Sequence, residues 1–598
     1  MLKKFFLGTL SSFVGTLIAA CVIGLAIFVS IVALIGKVGM SLSSTEEVKK
    51  GSILRISLEG AITEKESATD FDIKSIILSG GERVSSQNLR TLTSAIRDAA
   101  DNKNIKGIYL DCGAVDAGMA TLNVLRDELV AFKKSGKPIL AYGAIMTQGT
   151  YYVATAADSI FINPQGELNL TGLNGQHMFY KGLFDKLGVR FTAIKVGTFK
   201  SAVEPYIMDE MSQPARAQLD TLLGTMWTQI KDQIATPRKL TGADIDTLIN
   251  RDFISAATAA EVKSKGLVDG VLFYREIEKK LMRMADKKKA EDLNFVSPDL
   301  LASQTDDDTS YDSGKQVAVL YAEGDIQEAE PGGINCHELV PVINDLADND
   351  DVKALVLRVN SPGGSVYGSD QIADALSYFK SKGKPFVVSM GDYAASGGYW
   401  ISADADRIFA NPLTITGSIG IFGLIPDVQG LLTKLGINIE TVGTNPEGNF
   451  PTLFTQMTPG QQAAMQKRIN NGYDQFIKRV ANGRHLPEVR VRTIAEGRVW
   501  SAITAQKLGL VDELGNLDDA VKWAARKAGI LKDYKVAAYP SASDGIRAML
   551  ERFENAYITK AVKRVAGKDI DPKVINYISR TLQQRPEQAR MMPVIVKL

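Results

Sequence analysis

The sequence predicts an α/β fold in which two tandem copies of one domain follow a single N-terminal transmembrane helix. Three observations lead to this prediction: an uncharged run near the N-terminus, an internal repeat at a nearly constant offset, and strands that alternate with helices inside each copy. The chain has 598 residues, and length alone suggests about four domains. The repeat reduces that expectation to two copies, an anchor and a tail.

The uncharged run covers residues 5–36. It exceeds the ~20 apolar residues that cross a ~30 Å hydrocarbon layer as a helix. The alternative is a cleaved signal peptide, but the apolar part of such a peptide spans only about 7–15 residues. We therefore predict an uncleaved anchor over residues 1–37. Lys3 and Lys4 favour an N-terminus on the inside, although the lysines that follow the run weaken this argument.

The repeat divides the rest of the chain. Residues 105–110 (IKGIYL) resemble 352–357 (VKALVL) at an offset of 247, and residues 158–164 (DSIFINP) resemble 406–412 (DRIFANP) at an offset of 248. The predicted bounds are 52–285 for the first domain, 286–315 for a polar linker, 316–540 for the second domain and 541–598 for a helical tail.

Short β-rich runs alternate with helical patterns inside each copy. In the second copy, residues 317–321, 354–359 and 385–389 have the composition of buried strands, and residues 371–382 form an amphipathic helical pattern. Such alternation is typical of α/β domains with crossover connections.

Composition excludes several classes of function. With 69 Lys+Arg against 68 Asp+Glu, the chain lacks the basic surplus of a nucleic-acid binder. Three Cys and three scattered His exclude a disulfide-dense scaffold, a four-cysteine zinc site and a multi-histidine metal centre. If the chain is an enzyme, we expect a residue other than histidine to transfer protons.

A glycine-rich turn, NSPGGS, follows the predicted strand 354–359. Gly363 and Gly364 let the backbone approach a ligand closely and direct N–H groups at it, as the oxyanion of a tetrahedral intermediate requires. The alternative is a plain turn between a strand and a helix.

A serine follows the next predicted strand, within AASGGYW at residues 394–400. Ser396 would lie at a helix N-terminus, where developing negative charge is stabilised, and the amide of Gly397 could be a further oxyanion donor. Alternatively, Ser396 only caps the helix, and Gly397 and Gly398 only permit close packing.

The two copies differ at these positions. Ser396 aligns with Gln148 and Gly363 with Asp116, so the first copy lacks both the serine and the paired glycines. It has Lys200 instead, within VGTFKSAVEP, whereas the matching VGTNP of the second copy has no lysine. One copy thus offers a nucleophile, and the other offers a base.

Lysine is a reasonable base for a serine nucleophile where histidine is scarce. Lys200 would have to lose its proton near neutral pH, which requires a pKa well below the usual ~10.4. That corresponds to roughly 4–5 kcal/mol of destabilisation of the ammonium, and burial can supply it. The alternatives are a solvated surface lysine, or a lysine paired with Glu204 whose pKa would then be raised.

Together these features resemble the two-domain signal peptide peptidase A (protease IV) family of bacterial membranes, peptidase family S49. The residues that carry the resemblance are the anchor, the duplication and four motifs: GTFKSAVEP around Lys200, AASGGYW around Ser396, NSPGG, and TGSIGIFG around Ser418. The resemblance implies tandem Clp protease/crotonase-like domains of ββα units. It also implies a Ser396–Lys200 dyad, oxyanion donors from Gly363, Gly364 and Gly397, and a lysine-orienting role for Ser418.

The resemblance further implies what the protein does and where. It implies a membrane-anchored serine endopeptidase that degrades cleaved signal peptides, forms a homotetramer and contacts lipid through its N-terminal helix. The catalytic body would lie on the periplasmic side of the bacterial inner membrane. No metal, nucleotide or organic cofactor and no nucleic-acid partner is expected.

Two other functions remain as alternatives: a crotonase-type acyl-CoA enzyme, which would use a similar glycine oxyanion site, and a non-catalytic membrane scaffold. The sequence also leaves open whether Ser396 and Lys200 meet within one chain, and whether Cys112 and Cys336 pair.

Overall fold

The computed structural model describes residues 47–64, 86–306, 314–328, 333–445, 447–450 and 452–539. The strands are β1 (Ser52–Thr63), β2 (Ser86–Asn88), β3 (Ile105–Asp116), β4 (Ile139–Met146), β5 (Ser159–Leu168), β6 (Arg190–Lys195), β7 (Gly270–Val271), β8 (Asn294–Val296), β9 (Gln316–Glu323), β10 (Ile326–Gln327), β11 (Ile334–Asn335), β12 (Val352–Ser361), β13 (Phe386–Ala395), β14 (Arg407–Ala410), β15 (Ile415–Gly417), β16 (Phe422–Asp427), β17 (Val499–Ser501), β18 (Glu513–Leu514) and β19 (Lys535–Tyr539).

The α-helices of the described residues are α1 (Leu89–Asp101), α2 (Met119–Phe132), α3 (Gln148–Ala154), α4 (Lys181–Leu187), α5 (Glu204–Ile207), α6 (Gln213–Ala235), α7 (Gly242–Asn250), α8 (Ala259–Ser264), α9 (Tyr274–Ala285), α10 (Pro298–Asp306), α11 (Cys336–Asp348), α12 (Val366–Ser381), α13 (Gly397–Trp400), α14 (Gln429–Lys434), α15 (Pro459–Arg484), α16 (Glu488–Ile494), α17 (Ala502–Lys507) and α18 (Leu517–Lys527).

Each copy is built around its own sheet. The first sheet has the order β2-β1-β3-β4-β5-β7, with β8 beside β1. The second has the order β17-β15-β13-β12-β9-β19, with β14 beside β13 and β18 beside β14. The path β8-β1-β3-β4-β5-β7 of the first copy is therefore repeated as β19-β9-β12-β13-β14-β18 in the second. The predicted tandem α/β architecture is confirmed.

Burial on both faces explains why the strands are continuous apolar runs. Nearly every residue of β12 and β13 is buried, as expected for parallel strands covered by helices. The predicted strand 354–359 lies within β12, and 385–389 coincides with the start of β13. The predicted helix 371–382 is the later part of α12, which begins at Val366.

The prediction of a polar linker over residues 286–315 is wrong for much of that segment. Strand β8 pairs in parallel with β1, with Asn294 opposite Ser52, and α10 packs against α1. Val296 and Leu301 are buried in the first core. Residues 294–296 thus complete the first copy as β19 completes the second. The element was missed because three strand residues among charged neighbours give no detectable periodicity.

Several contacts hold the copies together, among them a strand ribbon, a buried ion pair and a capped helix N-terminus. Strands β6 and β16 form an antiparallel ribbon, with Lys195 opposite Phe422. The carboxylate of Glu64 pairs with the guanidinium of Arg358, and both side chains are about 5% exposed or less. The Asp392 carboxylate accepts hydrogen bonds from the amides of α2 at Ala120 and Thr121, at 2.8 and 3.1 Å. A carboxylate at a helix N-terminus satisfies otherwise unpaired amides.

Two predicted segments, the anchor over 1–37 and the tail over 541–598, lie outside the described residues. Among the helices that the structure does describe, none is both long and apolar enough to span a bilayer. The two described cysteines, Cys112 and Cys336, are free thiols buried in different cores, so they do not pair.

Candidate active site

Ser396 lies at the junction of β13 and α13. Its backbone has φ 54° and ψ −118°, a conformation that is rare for a residue with a side chain. The amide of Ser396 donates to the carbonyl of Gly417 at 2.9 Å, which fixes this turn against the end of β15. Although Ser396 occupies the N-cap position, its hydroxyl makes no capping hydrogen bond. The capping alternative raised from the sequence therefore does not describe this side chain.

Lys200 of the first copy reaches Ser396 of the second within one chain. Its Nζ lies 3.1 Å from Ser396 Oγ, 2.9 Å from Ser418 Oγ and 3.1 Å from the Ser418 carbonyl oxygen. The lysine is only 5% exposed. Burial lowers the pKa of Lys200 to about 8, because removal from water disfavours the ammonium. At pH 7 roughly a tenth of this amine is therefore unprotonated, against less than ~0.1% for a lysine with the usual pKa.

The surroundings of Lys200 contain no counter-ion among the described residues. Glu204, which could have paired with it, instead accepts hydrogen bonds from the amide and hydroxyl of Ser212, at 3.1 and 2.6 Å. The ion-pair alternative for Lys200 is therefore not what the structure contains.

A loop of the second copy holds the Lys200 segment in place. The amide of Phe199 donates to the Glu496 carbonyl at 2.9 Å, and the Arg498 guanidinium lies 3.6 Å from the centre of the Phe199 ring. Gly497 has φ 77°, and a Cβ there would lie 2.6 Å from Lys200 Cβ, so glycine is required for the close approach. Sequence reasoning missed this loop, because nothing in the local pattern of residues 496–498 indicates a contact with residue 199.

Two backbone amides remain available beside Ser396. Among the described residues, neither the Gly364 nor the Gly397 amide has a hydrogen-bond acceptor. The Gly363 amide, also predicted as a donor, instead donates to Ser361 Oγ at 3.2 Å. Gly363 has φ 113°, and a Cβ there would lie 2.7 Å from both Gly397 N and Ser396 Cβ. Gly363 therefore leaves space at the site while Gly364 and Gly397 offer the amides.

Ser418 is placed by the same loop. Its backbone has φ 51°, and its amide donates to the Arg498 carbonyl at 2.7 Å. Its carbonyl and hydroxyl oxygens both face Lys200 Nζ. An unprotonated amine has two hydrogens and one lone pair, so two acceptors on Ser418 leave the lone pair free for Ser396 Oγ. The arrangement suits a lysine that takes a proton from a serine.

No cluster of three or more His, Cys, Asp or Glu side chains arranged to hold a metal ion occurs in the described ranges.

Comparison with known proteins identifies the family. The sequence profile of Peptidase family S49 matches residues 131–288 and 378–531, which together are more than half of the chain. The chain belongs to peptidase family S49. A Clp protease profile also matches residues 317–413 of this S49 chain, as the predicted Clp-like fold requires.

Curated relatives agree over most of the S49 chain. Protease 4 of Salmonella typhi is 35% identical over 543 residues, covering 87% of this chain and 86% of the relative. Protease 4 of Haemophilus influenzae is 32% identical over 525 residues, covering 86% and 85%. The chloroplastic serine protease SPPA of Arabidopsis thaliana is 28% identical over 502 residues, covering 82% and 71%. These similarities confirm the predicted enzyme class: this S49 chain is a serine protease.

Proposed function

We propose that this peptidase cleaves peptide bonds with Ser396 as nucleophile and Lys200 as general base. The observation that carries the proposal is the 3.1 Å separation between Lys200 Nζ and Ser396 Oγ, at a buried lysine with no carboxylate partner among the described residues. A lysine held in this way can act as a base without histidine.

In the proposed acylation step, unprotonated Lys200 accepts the hydroxyl proton of Ser396 while Oγ attacks the scissile carbonyl carbon. The two N–H groups of the amine donate to the oxygens of Ser418, which keeps the lone pair directed at Ser396. The carbonyl oxygen becomes an oxyanion and accepts hydrogen bonds from the Gly364 and Gly397 amides. One such donor contributes about 3–4 kcal/mol to transition-state stabilisation in a related type of site.

The remaining steps return the enzyme to its starting state. The tetrahedral intermediate collapses, the C–N bond breaks, and the leaving amine takes the proton from the Lys200 ammonium. Water then loses a proton to Lys200 and attacks the acyl carbon. The C–Oγ bond breaks, Ser396 Oγ takes the proton back from the Lys200 ammonium, and the carboxylic acid product leaves. The same lysine serves as base and acid in each half of the reaction.

We further propose that the substrates are signal peptides left in the membrane after preprotein processing, bound in an extended conformation. In this proposal residues 1–37 anchor the protein in the bacterial inner membrane, the catalytic body faces the periplasm, and four chains assemble. Support comes from the length of the uncharged run and from the similarity to the relatives described above.

Covalent labelling tests the proposed nucleophile. A fluorophosphonate should add to Ser396 of the full chain in detergent, and mass spectrometry of the peptide containing residue 396 should locate it. Ser396→Ala should lose the label, and Lys200→Met should slow labelling by at least ~100-fold. Labelling of another serine at the wild-type rate in Ser396→Ala would refute the assignment.

Reconstituted vesicles test the proposed substrate and anchoring. The full chain should degrade a synthetic signal peptide inserted in the same bilayer, and removal of residues 1–46 should release the protein from the vesicles. A soluble apolar peptide ester is the control, because its hydrolysis needs the dyad but no membrane. Ester hydrolysis without signal-peptide cleavage would support the proposed dyad and contradict the proposed substrate.

A further inference from the structure

A cavity of about 330 Å³ opens on the surface of the first copy. Its lining is mostly apolar and consists of Leu170, Thr171, Ile249, Phe253, Ser255 and Ala256. Phe253, one of the residues that line the cavity, is 69% exposed. Neither the proposed catalysis nor the core of the first copy requires this cavity.

The repeat identifies the counterpart of the cavity in the second copy. Phe253 and Glu496 both have positive φ, at 48° and 54°, and each lies five residues before the N-cap of the next helix. The amide of Leu170 donates a hydrogen bond to Ser255 Oγ at 3.0 Å. At the equivalent place in the second copy, the amide of Ser418 donates to the Arg498 carbonyl. The cavity therefore corresponds to the surface formed by Ser418, Glu496 and Arg498.

In the second copy that surface is covered, and the cover comes from the first copy. The Phe199 amide donates to the Glu496 carbonyl, and the Phe199 ring stacks with the Arg498 guanidinium. Lys200 Nζ donates to Ser418 Oγ. The preceding strand β6 pairs with β16, and its Ile194 is 4% exposed within the second core. Residues 190–200 thus act as a docking segment.

Among the described residues, the counterpart of this docking segment in the second copy forms hydrogen bonds only with its own loop, from the Ile437 amide to the Leu432 carbonyl and from the Gly448 amide to the Asn445 carbonyl. Residues 442–445 (VGTN) match residues 196–199 (VGTF). Val442 is 98% exposed, and Ile437 and Ile439 before it are 49% and 40% exposed. The counterpart of β16, residues 174–178 of the first copy, is also exposed and forms no strand.

We propose that residues 437–445 of one chain bind the first copy of a second chain, with the segment 442–445 covering the cavity at Phe253 and residues 437–441 pairing along 174–178. The chain itself supplies the template for this contact, because residues 190–200 already bind the second copy in the same way. The occupant is a second copy of this chain, so the inference rests on the proposed assembly and assigns its surfaces.

The proposed contact builds no second catalytic pair. Gln148 stands where the second copy has Ser396, and Pro446 stands where the first copy has Lys200. The contact is also heterologous, since two different surfaces of each chain take part. Repeated head to tail, such a contact closes into a ring when the rotation permits.

Cysteine pairs test the contact. The counterparts of Asn445 and Phe253 are Phe199 and Glu496, whose backbone N and O atoms lie 2.9 Å apart. Oxidation of the full-length Asn445→Cys/Phe253→Cys variant in detergent should give a ladder of covalent multimers. A mixture of the two single variants should give covalent dimers only, and each single variant alone should give none. The matched control is Asn445→Cys/Leu531→Cys, which should not cross-link.

A charge variant provides a second measurement. Val442→Asp should convert the wild-type oligomer to single chains in light scattering with an unchanged far-UV circular dichroism spectrum, whereas Leu531→Asp, at a 43% exposed leucine, should leave the oligomer intact. A wild-type chain that is always single would overturn both the assembly and this contact. An oligomer that persists in Val442→Asp without the 445–253 cross-link would overturn the contact alone. Labelling of the cavity by an apolar substrate peptide instead would assign the cavity to substrate and reject the proposal.

Discussion

The turn before α3 in the first copy and the turn before α13 in the second occupy the same place in the fold. Tyr151 and Tyr399 show the equivalence, because each hydroxyl donates to a backbone carbonyl, of Leu267 and Leu510, at 2.6 and 2.8 Å. Next to these equivalent tyrosines, the polar groups of one turn are hydrogen-bonded and several of those in the other turn are not.

In the first copy, the polar groups of this turn form hydrogen bonds within the same copy. Thr147 has ordinary extended angles and caps α3 by accepting from the Thr150 amide. Gln148 Oε1 accepts from the amides of Thr171 and Gly172, at 3.0 and 2.8 Å. The turn of the second copy instead holds Ser396 in a rare conformation without a capping hydrogen bond, and the amides of Gly364 and Gly397 have no acceptor in the described part of the chain. The proposed reactive site thus coincides with hydrogen-bonding groups that have no partner among the described residues.

The largest effect on activity is expected from substitutions at equivalent positions of the two turns. Ser396→Ala should lower kcat/KM for an apolar peptide ester by at least ~1,000-fold, because it removes the proposed nucleophile. Gln148→Ala, the matched change in the first copy, should leave kcat/KM within about twofold of wild type. Ester hydrolysis assays on both variants measure this difference in kcat/KM. An equal loss of kcat/KM in the two variants would contradict the assignment of catalysis to the turn of the second copy.

Removal of the lysine should be nearly as severe. Lys200→Met should lower kcat/KM by at least ~100-fold, whereas Lys263→Met at an exposed position should have no effect. In the wild type, the acylation rate should rise about tenfold per pH unit and level off above about pH 8, where Lys200 loses its proton. A profile that is flat between pH 6 and 9 would contradict the base assignment.

The same lysine should reduce stability near neutral pH. Its pKa is lower in the folded chain than in the unfolded one, so the unfolded state binds more protons between about pH 8 and the usual lysine value. Stability should therefore increase as pH rises through that window, and the buried ammonium should cost stability below it. Lys200→Met should raise Tm at pH 7 and remove this pH dependence, as thermal unfolding at several pH values would show.

The role of Ser418 predicts an intermediate effect. Ser418→Ala removes one of the two acceptors that orient the amine, so kcat should fall about 10- to 100-fold with little change in KM. The serine should act as a positioning residue, and Ser418→Thr, which keeps the hydroxyl, should recover much of the loss. Thr150→Val removes a hydroxyl from α3, the counterpart of α13 in the first copy, and should leave kcat unchanged. A rise in KM with kcat unchanged in Ser418→Ala would instead assign Ser418 to substrate binding.

The smallest effect on catalysis is expected at the contact between the copies. Asp392→Ala removes the carboxylate that accepts from the α2 amides and from Thr121 Oγ at 2.6 Å. Loss of such a cap costs about 1–2 kcal/mol and should lower Tm by a few degrees, with kcat/KM within about threefold of wild type. Asp220→Ala, at an exposed position of α6, is a control for the Tm measurement. An unchanged Tm in Asp392→Ala would show that this cap does not hold the copies together.

Local signals predicted much of the site. The glycine-rich turn, the serine after β13 and the lysine motif each lie within about ten residues of sequence, and the repeat showed which copy carries which motif. The repeat also predicted two sheets of the same connectivity, because equivalent strands keep their apolar runs when both faces are buried.

Contacts between distant residues could not be predicted. Ser396 and Lys200 are 196 positions apart, and contacts such as the β6–β16 ribbon and the loop around Gly497 bring them to 3.1 Å in one chain. Which glycine amides are free also depended on a side chain elsewhere, since Ser361 Oγ binds that of Gly363. The linker assignment failed for the same reason: β8 is a strand because β1 offers it an edge, not because its three residues form a pattern.

The amino-acid sequence is enough to show which residue types are present, how they are ordered in the two copies and which family they resemble. The tertiary structure alone decided that a lysine of one copy is buried against a serine of the other, that burial lowers the pKa of the lysine to about 8, and that Glu204 turns away from it. The physical reason is that motifs are local, whereas desolvation and hydrogen-bond pairing depend on what the folded chain packs around each group.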